Sequence, residues 1–135
     1  MDTKDMERKA EKVMNGGLTC TETMLRVFND ELGLDLGDNA LRMATGFSGG
    51  VGGRQHVCGA LTGAVMVIGA MKGRTAPDQS KDEAIEMAGE VFDRFQDIFG
   101  DICCGEILKK EGISCPGQVV PACARVLVEA IQGAK

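Results

Sequence analysis

The stretch that most constrains this 135-residue chain is Gly46–Gly73, GFSGGVGGRQHVCGALTGAVMVIGAMKG. From Ala60 to Met71 it is almost wholly apolar, yet too short to span a bilayer. A helix that is hydrophobic on every side must be buried by the rest of its chain. This segment, about 59–72, is therefore expected to be a central core helix. Ahead of it runs a loop carrying Gly46, Gly49, Gly50, Gly52 and Gly53, with Cys58 at the junction. Glycines accept positive φ and let backbone amides come close to a ligand. A helix N-terminus adds N–H groups and partial positive charge, which suits an anion or a thiolate. The plainer alternative is a flexible loop entering a core helix. A nucleotide loop is not supported, because neither a Walker pattern nor GxGxxG after a strand is present.

The flanking sequence reads as further helices. Thr3 to Met14 places Met6, Ala10, Val13 and Met14 on one face and stops at Gly16-Gly17. Thr19-Cys20-Thr21-Glu22 is a capping box, followed by Met24, Leu25, Phe28 and Leu32 at helical spacing and ended by Gly33. Asp38 is expected to cap a short helix through Leu41, Met43 and Ala44. After the core helix, Lys81 to Phe99 repeats Ile85, Ala88, Val91, Phe92, Phe95, Ile98 and Phe99 at three and four residues. Gly100-Asp101 breaks the chain and recaps it for a short helix, Ile102 to Lys109, which Gly112 ends. Pro116 opens the last helix, with Val119, Val120, Cys123, Val126, Leu127 and Ala130 as its buried stripe. No strand alternation is sustained, and no repeat or linker interrupts the chain. The expectation is all-α: one domain over 1–135, a compact bundle of six or seven helices around the apolar one.

Composition fits. Aromatic residues make up 4% with no Trp or Tyr, so the core is aliphatic, Met and Ala, which suits close-packed helices better than sheet. The net charge of −5, with no basic arm and no base-stacking aromatics, argues against nucleic acid as a partner. The charged opening MDTKDMERKAEK lacks a signal-peptide core, so a soluble, cytoplasmic protein with no membrane span is expected. Six cysteines are unusual there, and in a reducing compartment they are more often metal ligands or catalytic thiols than disulfides.

Neither CxxC nor CxxCH is present. The positions are more informative. Cys20, Cys58, Cys104 and Cys115 each fall at the expected N-terminal end of a helix, where thiolate is stabilised. If the four ends converge, they build a tetrathiolate pocket. Cys123 lies on an apolar stripe and reads as a small core residue. Cys103 is a spare ligand, an exchange thiol or a partly buried neighbour. His56, the only histidine, is a ligand, a proton donor or a solvated loop residue.

With these residues in place, the chain resembles the C-GCAxxG-C-C family of redox-active proteins from about Gly17 to Ile131. The matching pieces are Gly17-Leu18-Thr19-Cys20, the loop into Cys58-Gly59-Ala60-Leu61-Thr62-Gly63, Phe99-Gly100 before Cys104-Gly105-Glu106-Ile107-Leu108, and Cys115. The central order here is Cys-Gly-Ala where the family name has Gly-Cys-Ala. The resemblance implies a small helical redox domain. A similar domain in split-Soret cytochromes is associated with a two-iron iron–sulfur centre beside haem, and this chain has no haem motif. The expected cofactor is thus a 2Fe-2S cluster on Cys20, Cys58, Cys104 and Cys115, serving electron transfer or redox sensing. Backbone amides around Gly50, Gly52, Gly53 and Gly59 would bond its sulfurs. Two alternatives remain: thiol–disulfide exchange, with Cys58 attacking and Cys20, Cys104 or Cys115 resolving, or a four-cysteine zinc site. The expected partner is a redox protein or a small-molecule thiol, and a homodimer stays open.

Overall fold

The computed structural model describes residues 1–109 and 118–133. Among them stand seven α-helices and no strand: α1 Thr3–Asn15, α2 Cys20–Leu32, α3 Gly37–Arg42, α4 Gly59–Lys72, α5 Asp82–Phe99, α6 Cys104–Leu108 and α7 Val119–Gly133. A 3₁₀ turn, Thr45–Phe47, leads from α3 into the glycine loop. No helix of the described residues is long and apolar enough to cross a membrane.

The apolar segment is the hub. Helix α4 packs against α2, α5 and α7, while α1 closes the bundle against α7 and α2. Ala60, Leu61, Ala64, Val67 and Ile68 of α4 are buried. Around them lie Met24 and Phe28 of α2, Val91 and Phe95 of α5, and Cys123 and Leu127 of α7, all in one apolar core. The α2–α4 contact is unusually close. A Cβ added at Gly63 would stand 2.7 Å from Met24 Cβ, and one at Gly59 would stand 2.6 Å from Thr21 Oγ1. Two glycines four residues apart thus let α4 lie directly on the backbone of α2. The buried Thr21 hydroxyl sits 3.4 Å from that of Thr62, which donates to the Gly59 carbonyl at 3.1 Å. The polar atoms of this contact are therefore satisfied internally.

Most elements fall where the sequence places them, and four details differ. Asp38 does not cap α3: the helix starts at Gly37 with Leu36 in the cap position, and Asp38 stands in the first turn. Met43 is 68% exposed rather than packed. Asp101 is not the cap of α6, whose N-cap is Cys103. Instead Asp101 Oδ1 accepts from the amides of Ile102 at 2.7 Å and Cys103 at 2.9 Å, folding the turn after Gly100. On α5 the buried line is Met87, Val91, Phe95 and Phe99, whereas Ile85, Phe92 and Ile98 face solvent. That helix carries more apolar residues than one stripe can hide, so spacing alone overcounts its core. The expected buried stripe of α7 is buried throughout. The expected breaks at Gly112 and Pro116 lie outside the described residues.

Candidate functional site

Three of the four expected cysteines can be placed, each at a helix start. Cys20 is the first residue of α2, Cys58 the N-cap of α4 and Cys104 the first residue of α6. Cys115 lies outside the described residues.

A short backbone pairing draws the last two ends together. Val57 and Cys103 form an isolated antiparallel bridge. Beside it the Cys58 amide donates to the Ile102 carbonyl at 2.8 Å, the Cys104 amide donates to the His56 carbonyl, and the Gly105 amide donates to the Gln55 carbonyl at 2.9 Å. The Gln55 carbonyl also receives the Cys103 thiol at 3.1 Å. Cys58 and Cys104 are therefore registered by main-chain bonds, across a bridge too short to leave any alternation in the sequence. The third end is set by the glycine contact: a Cβ on Gly59 would lie 3.2 Å from Cys20 Cβ. Cys20 thus sits against the residue that follows Cys58.

Cys20 and Cys104 line one open cavity of about 540 Å³, walled by Gly49, Gly50, Gly53, Gln55 and Gly59 and flanked by Met14 and Leu108. Of the four glycines expected at a ligand, three line this space and Gly52 does not. The amides of Gly52 and Gly53 are also occupied, donating to Gly46 O at 2.9 Å and Ser48 O at 3.0 Å. Those two glycines therefore shape the loop through positive φ instead of presenting N–H groups. Gly50 is buried at φ 71°, and a Cβ there would meet the His56 amide nitrogen at 2.6 Å. Only glycine fits.

A capping network ties the loop to α2. Glu22 Oε1 accepts from the Thr19 amide at 3.1 Å and the Thr19 hydroxyl at 2.8 Å. Ser48 Oγ donates to Thr19 Oγ1 at 2.8 Å, and Thr45 Oγ1 donates to Glu22 Oε2 at 3.0 Å. The bonds from Thr19 hold the Glu22 carboxyl below the usual glutamate value, helped by Thr45 and Arg26 and opposed by partial burial.

Burial separates the cysteines. Cys58 is fully buried, Cys104 nearly so, and Cys20 and Cys103 are half-buried. Cys123 is fully buried, donates to Ala60 O at 3.4 Å, and has its thiol pushed far up, mainly by burial and then by the negative charge Cys58 would carry. It behaves as the core residue expected of it. His56 is exposed and joins the site through its carbonyl, not its ring. Among the described residues no three His, Cys, Asp or Glu side chains stand close enough together to hold a metal ion. Sequence reasoning misses Gln55 and sees Thr19 only as a helix cap. Gln55 holds a strained φ of 55° and ties Cys103 to Gly105, and nothing in local spacing marks that role.

A family model described as "Putative redox-active protein (C_GCAxxG_C_C)" matches residues 18–135. A protein of Archaeoglobus fulgidus, described as "Uncharacterized protein", is 21% identical over 114 residues, covering 78% of this chain and 76% of its own. No solved structure matches the chain.

Proposed function

The chain belongs to the C-GCAxxG-C-C family of redox-active proteins, and on that premise we propose that it holds a 2Fe-2S cluster for electron transfer or redox sensing. The ligands would be Cys20, Cys58, Cys104 and Cys115. The observation that carries this reading is the meeting of three cysteine-bearing helix starts around the Val57–Cys103 bridge and the Gly59–Cys20 contact. Thiolate donors at wide sequence separation fit a centre built by the fold rather than by a local knuckle. The 540 Å³ cavity gives room for a compact inorganic group between Cys20 and Cys104. Bound there, a cluster supplies a one-electron couple.

The chain's own residues do the rest. Full burial of Cys58 keeps water from that side, and ligation requires its side chain to turn toward the cavity beside Gly59. Cys115 would supply the fourth sulfur. Gly50 lets the loop backbone form the opposite wall, and the Thr19–Glu22–Ser48 network holds that wall against α2.

A second reading is favoured by one observation: Cys20 and Cys104 open onto the same cavity. These two could exchange with an external disulfide, each losing its proton as the new sulfur–sulfur bond forms and the substrate is reduced to two thiols. Burial of Cys58 argues against that residue as the attacking thiol.

Alanine at each of Cys20, Cys58, Cys104 and Cys115 separates the readings. Under the cluster reading all four variants lose the visible charge-transfer band, while Cys123→Ala keeps it. Loss of exchange activity in Cys20→Ala and Cys104→Ala alone, in a colourless protein, would replace the cluster with the dithiol.

A further inference from the structure

The turn and loop at the mouth of the cysteine cavity form an apolar surface with a basic rim. Met43, Phe47 and Val51 are exposed, at 68%, 36% and 43%. Phe47 and Val51 are neighbours along the turn, since the Val51 amide donates to Phe47 O at 3.0 Å. Leu108, 41% exposed, lines the cavity itself together with Gly49, Gly50 and Gly53 of the same loop. Val51 is the telling residue. It holds φ 72° between glycines, a conformation a β-branched side chain resists, although it is exposed and packing demands nothing of it. Strain of this kind concentrates where a side chain is presented for function.

Charge singles out the same surface. The chain carries 20 acidic residues, yet none lies between Asp38 and Asp78. An even spread would place about six there. Part of this gap is the buried α4, but residues 51–56 are all exposed and still carry no carboxylate. Arg42 and Arg54 flank the apolar residues, exposed, and neither forms an ion pair among the described residues. Arg54 instead donates to Gly52 O at 2.8 Å, which holds its charge over the loop. Arg8, Lys9, Lys72, Arg94, Lys109 and Arg125 are matched by carboxylates, whereas Lys4, Lys12, Arg26, Arg74 and Lys81, like Arg42 and Arg54, form no ion pair among the described residues. What sets Arg42 and Arg54 apart is the exposed apolar stretch they flank. Carboxylates adjoin this surface in two places: Glu22 and Asp38 share the neighbouring cavity with Arg42, Glu22 being engaged by Thr19 and Thr45, and Glu106 on α6 is paired with Lys109 at 3.1 Å.

We propose that this surface docks an acidic redox protein, whose carboxylates meet Arg42 and Arg54 while an apolar centre covers Phe47 and Val51. Such complementarity steers encounter and fixes orientation, and it would bring the partner within the width of the loop from Cys20 and Cys104. The inference rests on the proposed redox function. A second copy of this chain fits less well, because two facing patches would oppose arginine to arginine.

The test is binding, followed by amide NMR on the intact chain titrated with a small acidic ferredoxin as probe and with a basic cytochrome c as its opposite. The proposal expects shifts from the ferredoxin confined to residues 42–56 and 105–109, fading as salt is raised. R42E/R54E should weaken the association at least about tenfold, and F47S should weaken it with the charges intact. Both substitutions lie on exposed residues, and the unchanged remainder of the spectrum reports that the fold is kept. Shifts elsewhere, no shifts at low salt, equal binding of the cytochrome, or self-association through these residues would each overturn it. Binding without a cluster in the preparation would keep the docking surface while removing the cluster reading. A cluster without binding would do the reverse.

Discussion

At the scale of single residues, two positions hold the site's outer wall. Gly50 is there because nothing larger can be: its φ of 71° strains any side chain, and a methyl group there would stand 2.6 Å from the His56 nitrogen. Gly50→Ala should cost about 1–3 kcal/mol, read as a lower urea midpoint, with the loop displaced from the cavity. Glu22 acts through hydrogen bonds rather than packing. Its carboxyl pKa is lowered in the fold by Thr19, so its contribution is complete above the ordinary unfolded value of 4.5 and is lost as pH falls through the lower folded value. Glu22→Gln should destabilise by about 0.5–1 kcal/mol at neutral pH. The gap between the two melting curves should close on acidification below 4.5. A gap that persists at low pH would mean that Glu22 acts by shape, not charge.

Among the elements, α2 against α4 is the contact on which the cysteines depend. Gly63 sits under Met24 Cβ and the Thr21 backbone, so Gly63→Ala overpacks a joint that cannot open without moving Cys20 away from Gly59. A loss of about 1–3 kcal/mol is expected in chemical denaturation. Gly89, exposed on α5 with open space where its Cβ would go, should behave oppositely: Gly89→Ala gains about 0.5–1 kcal/mol. These helices are largely legible in the sequence, because α1, α2, α4 and α7 each carry a stop glycine, a cap or a single apolar stripe that spacing reveals. Short signals mislead. Asp38 and Asp101 look like caps, but turn geometry assigns the cap positions to Leu36 and Cys103. On α5 the spacing rule accepts Ile85 and Phe92, which only the placement of α4 and α7 excludes from the core.

For the whole molecule, the first and last helices close the bundle on each other. Met6 and Ala10 of α1 are fully buried, packed with α7 and α2. Met6→Ala should therefore cost about 2–4 kcal/mol, seen as a lowered thermal midpoint, far more than removing an exposed ion pair such as Arg8 with Asp5. The candidate site is half legible at this scale. That Cys20, Cys58 and Cys104 stand at helix starts can be read from caps and glycines. That Cys58 and Cys104 meet through one bridge and its flanking hydrogen bonds cannot, since a single paired residue leaves no period. The roles of Gly52 and Gly53 escape the sequence for a related reason: positive φ is visible as glycine, but where each amide points is a matter of loop closure. The central claim, that four cysteines gather a 2Fe-2S cluster, is tested most directly by iron and acid-labile sulfide analysis with a visible spectrum after anaerobic purification and reconstitution. About two irons and two sulfides per chain, with absorbance in the region of roughly 400–500 nm, are predicted. A colourless chain without bound iron would contradict it.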